Sequence, residues 1–157
     1  MCEGPLVLRL AAPSDTARLH ELHTASVRAL CAPFYAPEII DGWLRNRRPE
    51  AYLPEIERGD IFVAETAGRL VGFGAAVPGQ VIAVYVDPGA VHRGVGAAIL
   101  RRALEMPARG HTAPIRLEST LNAKPFYERF GFREVRRATV QRNHVAIPVV
   151  IMERTTT

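Results

Sequence analysis

One stretch, residues 81–100, constrains the fold of this 157-residue chain more than any other. Its first six residues, 81–86, are almost all apolar, which is typical of a strand buried on both faces. Residues 87–89 (Asp-Pro-Gly) predict a turn, because proline removes a hydrogen-bond donor and glycine allows unusual backbone angles. Gly94 and Gly96 then precede apolar residues at helical spacing. The stretch therefore predicts a strand, a tight loop and a helix.

The loop in this stretch has the chemistry of an anion site. Gly94 and Gly96 lack a Cβ, so a ligand can approach the backbone closely. The first turn of the helix presents unpaired N–H groups and the positive end of the helix dipole. These features favour a phosphate or a pyrophosphate. A helix start with two packing glycines is the alternative, and the stretch alone does not decide between them.

Composition narrows the class of protein. The length fits one domain covering residues 1–157, and 48% hydrophobic residues are ordinary for a globular chain. We expect a cytoplasmic protein without a membrane partner, because there is no Cys-x-x-Cys pair, no secretory signal and no run of about 18 apolar residues. The net charge of +4 comes from scattered arginines, which predicts a solvated surface and no nucleic-acid partner.

His20 and His23 do not make a metal site by themselves, and we expect surface or substrate-facing histidines and no metal.

The chain in order predicts an α+β fold, a single domain with a mixed, mostly antiparallel sheet flanked by helices. The predicted strands are 6–10, 61–65, 70–77, 81–86, 115–119, 133–141 and 145–152. The predicted helices are 16–30, 38–44, one that opens at Arg93 and stops at 107–110, and 122–129, with Pro54 interrupting helical turns in 51–58. The strands between 61 and 86 must form an antiparallel meander, and the helix after them returns the chain to a parallel pair. Pro148 predicts a bulge or an edge in the last strand.

A second segment, residues 117–132 (LESTLNAKPFYERFGF), follows the glycine loop at a distance of one helix and one strand. Together, in this order and spacing, the two segments resemble the GNAT superfamily of acyl-CoA-dependent N-acetyltransferases. The resemblance implies acetyl-CoA as the cosubstrate. The family's loop reads Gln/Arg-x-x-Gly-x-Gly/Ala, and Val91 departs from it at the first position, which removes one side-chain contact. A dinucleotide-binding loop is excluded, because Ile99 stands where its third glycine belongs.

The resemblance also implies which residues bind acetyl-CoA. Residues 84–86 splay from the next parallel strand and pair with the pantetheine arm like an added strand, and backbone N–H groups from Arg93 to Ala98 hold the pyrophosphate. Asn122 matches an asparagine that contacts the cofactor, with a helix N-cap as the alternative. The implied binding residues are Val84, Tyr85, Val86, Val91, His92, Arg93, Gly94, Val95, Gly96, Ala97 and Asn122.

Two catalytic roles follow from the same resemblance. Tyr127 matches the tyrosine that protonates the departing thiolate of CoA, and packing beside Phe126 and Phe130 is the alternative. The general base is open. Glu118 lies next to the motif, and the other candidates are Glu65, Asp87 and His144.

The predicted function is transfer of an acetyl group from acetyl-CoA to the primary amine of a small molecule, by direct attack in a ternary complex. A protein or peptide acceptor and a non-catalytic acyl-CoA-binding module are the alternatives, and a homodimer is open. The helical insert 34–58, with Trp43, is expected to wall the acceptor site. Its acids Glu38 and Asp41 make it compatible with a small cationic amine.

Overall fold

The computed structural model of the chain describes residues 4–108 and 114–155, which contain one seven-stranded sheet. The strands are β1 (Val7–Leu10), β2 (Ile61–Thr66), β3 (Arg69–Val77), β4 (Gln80–Val86), β5 (Ile115–Ser119), β6 (Arg133–Arg142) and β7 (Val145–Arg154). Their order across the sheet is β1-β2-β3-β4-β5-β7-β6. β4 and β5 run parallel, whereas the other neighbouring pairs are antiparallel. The predicted α+β fold with a mixed, mostly antiparallel sheet is confirmed.

The helices connect these strands. They are α1 (Thr16–Ser26), continued by a π-helical turn (Val27–Cys31), α2 (Pro37–Leu44), α3 (Leu53–Arg58), α4 (Val95–Ala108) and α5 (Lys124–Glu128). Pro54 lies in the first turn of α3, where the missing N–H is not needed, so it does not interrupt that helix as the sequence predicted. α4 begins at Val95, two residues later than predicted, and Arg109 and Gly110 of its predicted stop lie outside the described residues.

Each face of the sheet is covered by a different set of helices. On one face, α4 and α5 bury Ile99, Leu100 and Tyr127 against strand residues such as Leu117 and Met152. On the opposite face, α1 and α2 with their connecting turns form two further clusters, centred on residues such as Leu22 and Trp43. Side chains that alternate along the strands supply both faces, because successive residues of a strand point to opposite sides.

Pro148 lies at a local edge of β7, as the sequence predicted, and it causes no bulge. β7 lies between β5 and β6, and the register shift in the β6–β7 pair falls between Glu134 and Arg136. The pairing of β7 with β5 ends at Val150. The Pro148 carbonyl accepts a hydrogen bond from the Tyr35 hydroxyl. The backbone nitrogen and carbonyl of Pro148 therefore both point away from β6, because they lie on the same side of the strand. The missing N–H of Pro148 therefore interrupts no bond between β6 and β7.

β4 and β5 part toward their C-terminal ends. Their register contains one residue pair, Gln80 with Arg116. β4 continues to Val86 and β5 to Ser119 without further pairing to each other. The splay of residues 84–86 from the next parallel strand, which the resemblance implied, is therefore confirmed. The sheet opens at this point, and both sequence motifs lie beside the opening.

Candidate active site

The glycine loop ends in an exposed helix N-terminus. His92 and Gly94 both have positive φ, 64° and 81°, so the chain turns tightly before α4 begins. The N–H of Ala98 donates to the Gly94 carbonyl at 3.1 Å and makes the first bond of the helix. The N–H groups of residues 95–97 precede that bond and have no acceptor within the helix. The set of N–H groups expected to hold the pyrophosphate, Arg93 to Ala98, is thus one residue too long, because the Ala98 N–H is used by the helix.

Little side-chain bulk surrounds this loop. A Cβ on Gly94 would meet no heavy atom within 4 Å, so the backbone there faces open space. A Cβ on Gly96 would lie 3.4 Å from the Phe126 ring, which places α5 against the start of α4. His92 and Arg93 are exposed, and Val91 is half-buried in extended conformation. The loop therefore joins the two sequence motifs and presents backbone N–H groups to solvent.

The side chains of β4 divide between the two faces at the opening. Val84 and Val86 pack with the cluster under α4. Tyr85 points to the other face, where its ring stacks on Phe73 with centroids 5.5 Å apart. The edge of β4 that faces β5 beyond Gln80 thus carries backbone without a strand partner, and a linear ligand can pair with it as an added strand.

Asn122 does not cap a helix. It lies inside a 3₁₀ turn (Leu121–Ala123), and the residue before α5 is Ala123. Its Oδ1 is buried and has no hydrogen-bond partner among the described residues. Buried acceptors nearly always find a donor, so an orphaned one beside the parted strands indicates a place for a ligand donor. The N-cap alternative is therefore wrong.

Tyr35 fixes the turn that carries Asn122. The Leu121 N–H donates to the Tyr35 hydroxyl at 3.0 Å, and that hydroxyl donates to the Pro148 carbonyl at 2.7 Å. Tyr35 is buried, and it bridges the segment before α2 to the turn after β5 and to β7. The sequence indicated no role for Tyr35. A tyrosine between two prolines carries no local signal of such a bridge.

Tyr127 is a buried, neutral phenol. It is 6% exposed and contacts Phe126 and Phe132 edge-on. Burial raises the pKa of Tyr127 well above its ordinary value, and Tyr85 adds to the rise. None of the described residues accepts a hydrogen bond from its hydroxyl, so the proton is available to a ligand. The aromatic packing beside Phe126 is present, and the acid role of the hydroxyl stays a prediction.

A cavity of about 720 Å³ lies on the face of the sheet opposite to α4 and the glycine loop. The end of α2, the turn and helix that follow it, and the β6–β7 hairpin form its walls. Its charged lining is Arg47, Arg48, Arg142, Glu50 and Glu55, and its aromatic lining is Trp43 and Tyr52. The Asn143 amide holds the hairpin in place by donating to the Trp43 and Arg45 carbonyls, each at 2.7 Å.

Two contact paths lead from this cavity to the two strands that part. On the β4 side, the Tyr52 hydroxyl lies 2.8 Å from His23 Nδ1, and the His23 ring packs on Tyr85 with centroids 4.1 Å apart. On the β5 side, Arg142 forms a 3.3 Å ion pair with Glu118. The cavity and the glycine loop therefore lie on either side of the same opening in the sheet.

Arg47 and Tyr52, which line the cavity, form a polar cluster with the buried His23 beneath them. An Arg47 Nη atom lies 2.7 Å from both His23 Nδ1 and the Tyr52 hydroxyl. A guanidinium only donates, so Nδ1 must be an acceptor, and the imidazole proton lies on Nε2. Burial lowers the pKa of His23 well below its ordinary value, and the positive charge of Arg47 lowers it further. His23 is therefore neutral and buried, not at the surface as one sequence reading had it.

This cluster predicts a pH dependence of stability. The pKa of His23 is lowered in the folded protein from its ordinary 6.5, so acid protonates this histidine in the unfolded chain first. Its contribution to stability is complete above pH 6.5 and is lost as the pH falls through that value. We expect the free energy of unfolding by urea to drop by about 1 kcal/mol between about pH 7 and about pH 5.5. In His23→Gln this drop should flatten, and an unchanged pH dependence in the variant would contradict the assignment.

The four base candidates differ in their surroundings. Glu65 binds Arg9 near the β1 edge of the sheet. Burial disfavours the charge of Asp87, but the Gly89 N–H and Arg18 together hold the pKa of this carboxyl below its ordinary value. His144 is exposed at the hairpin tip, and Glu118 pairs with a cavity arginine. Glu118 and His144 thus lie next to the cavity, whereas Glu65 and Asp87 are held in ion pairs elsewhere.

Most of the cavity lining, including Trp43, comes from the insert 34–58, which was expected to wall the acceptor site. Arg142 and Asn143 of the β6–β7 hairpin complete the lining. Glu38 and Asp41 do not line the cavity; both are exposed, and Asp41 pairs with Arg28. The prediction of a wall with those acids is wrong, because α2 turns them to solvent. The basic run 45–48, which read as a connector, supplies the charge instead.

Within residues 4–108 and 114–155, no group of three or more His, Cys, Asp or Glu side chains could hold a metal ion. No helix in this described part is long and apolar enough to cross a membrane.

A parted parallel strand pair, a glycine loop at a helix N-terminus and a facing cavity define an enzyme that binds an acyl-CoA thioester. The model of the acetyltransferase (GNAT) domain family matches residues 31–155, and the chain belongs to this family. It is an acetyl-CoA-dependent N-acetyltransferase.

Individual relatives agree with this assignment. The uncharacterized N-acetyltransferase YafP of Escherichia coli K12 is 25% identical over 129 residues, which cover 82% of each protein. A GCN5-related N-acetyltransferase from Rhodopseudomonas palustris shares the fold with a TM-score of 0.82 and 24% identity, over 99% of this chain and 98% of that one. PaiA N-acetyltransferase from Thermoplasma acidophilum, solved with coenzyme A, has a TM-score of 0.75 and 22% identity, over 96% and 99% of the two chains.

Proposed function

We propose that this enzyme transfers the acetyl group of acetyl-CoA directly to the primary amine of a small molecule while both substrates are bound. The observation that carries the proposal is the opening between β4 and β5, with the glycine loop on one side and the cavity on the other. A thioester bound along β4 would place its acetyl group between them. The amine would then attack from the cavity.

In this proposal the backbone makes most of the cofactor contacts. The N–H groups of residues 95–97, with the loop from Val91 to Gly94, hold the pyrophosphate at the positive end of α4. The backbone of Val84, Tyr85 and Val86 pairs with the pantetheine arm, and one of its N–H groups polarises the thioester carbonyl. Asn122 Oδ1 accepts a hydrogen bond from an amide of the same arm. These contacts need no side chain at Val91.

The catalytic groups are proposed as follows. Tyr127 donates its phenolic proton to the thiolate that leaves when the tetrahedral intermediate collapses. Glu118 takes the proton from the attacking amine, which must be neutral to react. Glu118 lies beside Arg142 at the rim of the cavity, and a water molecule would relay the proton to it.

The size of the cavity supports a small-molecule acceptor. About 720 Å³ lies within the range of small-ligand sites, roughly 300–1,000 Å³. Trp43 and Tyr52 line it on the side of the helical insert, and Asn143 of the β6–β7 hairpin lines the other side.

Replacing Asn122 by alanine tests the cofactor site. We expect the Kd for acetyl-CoA, measured by calorimetry, to rise about five- to tenfold, because one buried hydrogen bond contributes about 1 kcal/mol. The melting temperature of the ligand-free protein should not fall, since Oδ1 has no described partner to lose. Asn46→Gly is the matched control, because Asn46 lines the cavity instead and its positive φ suits glycine. An unchanged Kd in Asn122→Ala would remove Asn122 from the site.

The reaction itself is tested by release of free CoA thiol from acetyl-CoA in the presence of a panel of amines, aminoglycosides, polyamines and peptides. The proposal expects release with at least one small amine and a product heavier by one acetyl group. Release with peptides alone would favour a protein acceptor. Tight acetyl-CoA binding without release for any acceptor would favour a binding module.

A further inference from the structure

Arg47 forms no recorded salt bridge with a carboxylate of the described residues, and Glu55 acts on its charge only at longer range. Its recorded partners, His23 Nδ1 and the Tyr52 hydroxyl, are both neutral. Its Nε is buried and has no hydrogen-bond partner among the described residues. Arg47 is half-buried, and an anion that completes the hydrogen bonding of its guanidinium would stabilise this charge. Arg47 also lines the cavity in which we expect the acceptor.

The charged residues of the cavity also favour an anionic ligand. The lining contains three arginines, Arg47, Arg48 and Arg142, and two glutamates, Glu50 and Glu55. Arg142 is engaged with Glu118 at 3.3 Å. Arg48 is exposed, and no ion pair to a described residue is recorded for it. Arg47 and Arg48, adjacent in the chain, therefore provide the positive charge of the wall near Tyr52.

We propose that the acetyl acceptor carries an oxyanion, a carboxylate or a phosphate, in addition to its amine, and that Arg47 binds this oxyanion with help from Arg48. This inference rests on the proposed function, since it names the acceptor class of that same cavity. Arginine suits the task because its planar fork of N–H donors matches the two oxygens of a carboxylate or a phosphate.

The two glutamates of the cavity are compatible with this acceptor. Burial raises the pKa of Glu55, and no salt bridge to a described residue is recorded for its carboxyl. An acceptor with opposite charges at its ends can place the ammonium toward Glu50 and Glu55 and the oxyanion toward Arg47. A polyamine would instead bring positive charge against the arginines, which is unfavourable in a partly buried site.

Matched pairs of amines test the proposal. 3-Aminopropanoate is compared with 3-aminopropanamide, and phosphoethanolamine with ethanolamine, at equal concentrations of unprotonated amine. We expect kcat/KM to be at least tenfold higher for the charged member of at least one pair, and the pair that responds distinguishes carboxylate from phosphate. The tenfold preference should vanish in Arg47→Gln, which removes the charge but keeps a donor. Calorimetry with 3-aminopropanoate and phosphoethanolamine in the presence of CoA gives a second readout that needs no turnover.

The controls separate binding from folding. Arg48→Gln should weaken the preference partly, and Arg45→Gln should leave it unchanged, because Arg45 is exposed and does not line the cavity. Acetyl-CoA affinity and melting temperature of each variant show whether it is folded. Equal rates within both pairs, or neither reaction nor binding of any amine that carries an oxyanion, would overturn the inference. Acetylation of neutral amines would then still support the proposed function, whereas acetylation of no amine would defeat both.

Discussion

Replacing Tyr127 by phenylalanine should lower kcat about 100-fold, the usual size of a lost general acid. Protonation of the CoA thiolate as it departs favours collapse of the tetrahedral intermediate toward the products. Tyr127 keeps its proton because burial raises its pKa, and none of the described residues competes for that proton. The measurement is steady-state release of CoA thiol from the acceptor that the amine panel identifies, at saturating acetyl-CoA.

The same substitution should leave binding and folding almost unchanged. The phenylalanine ring can keep the edge-on contacts with Phe126 and Phe132, and no recorded hydrogen bond of the hydroxyl is lost. We therefore expect the Kd for acetyl-CoA to stay within about twofold and the melting temperature within about 1 °C, since the hydroxyl supports neither. Equal kcat values for the two proteins would show that the leaving thiolate is protonated by another group.

The cofactor side of the site could be anticipated because its determinants are local. A glycine loop between an apolar strand and an amphipathic helix specifies its own backbone, whatever the rest of the chain does. Gly94 adopts the positive φ that the loop needs, and α4 starts one residue later. Ala98 was wrongly included among the pyrophosphate-binding N–H groups, because a sequence pattern does not show which N–H makes the first hydrogen bond of a helix.

The individual contacts of the cavity could not be anticipated, because they join residues that are far apart in the sequence. Asn143 fixes the hairpin against carbonyl groups 100 and 98 residues earlier in the chain. Arg47 meets His23 only after α1 and the turn before α3 pack on the same face of the sheet. A lone arginine in a basic run looks like any solvated arginine in sequence, and only its neutral partners distinguish it.

For the candidate bases too, the surroundings of each carboxylate depend on contacts that the sequence does not show. Glu118 lies next to the second motif, and Asp87 was one of the three other candidates. The Asp87 carboxylate accepts from the Gly89 N–H at 2.8 Å and pairs with Arg18, so it shapes the turn. Glu118 is carried by β5, which ends at the opening, and its role as the base stays a prediction.

Replacing Gly74 by valine should lower the free energy of unfolding by about 3 kcal/mol, because the core cannot accept the added atoms. A Cβ at this position would lie 2.6 Å from Phe62 Cζ and 2.7 Å from Ile99 Cγ2. Both neighbours are fully buried, so neither can move aside into solvent. Urea unfolding measures the effect, and the melting temperature should fall by about 9 °C.

Strand propensity predicts the opposite sign for this substitution, since valine is favoured over glycine in strands by about 1 kcal/mol. A gain in stability would therefore show that α4 can move away from β3. Gly89→Ala is the control, because its Cβ would have only one contact, at 3.4 Å to Asp87, and it should change stability by less than about 0.5 kcal/mol. Ile99 belongs to the same helix as the N–H groups of residues 95–97. Any Gly74→Val protein that remains folded should therefore also bind acetyl-CoA more weakly, because displacement of α4 moves the pyrophosphate site away from β4.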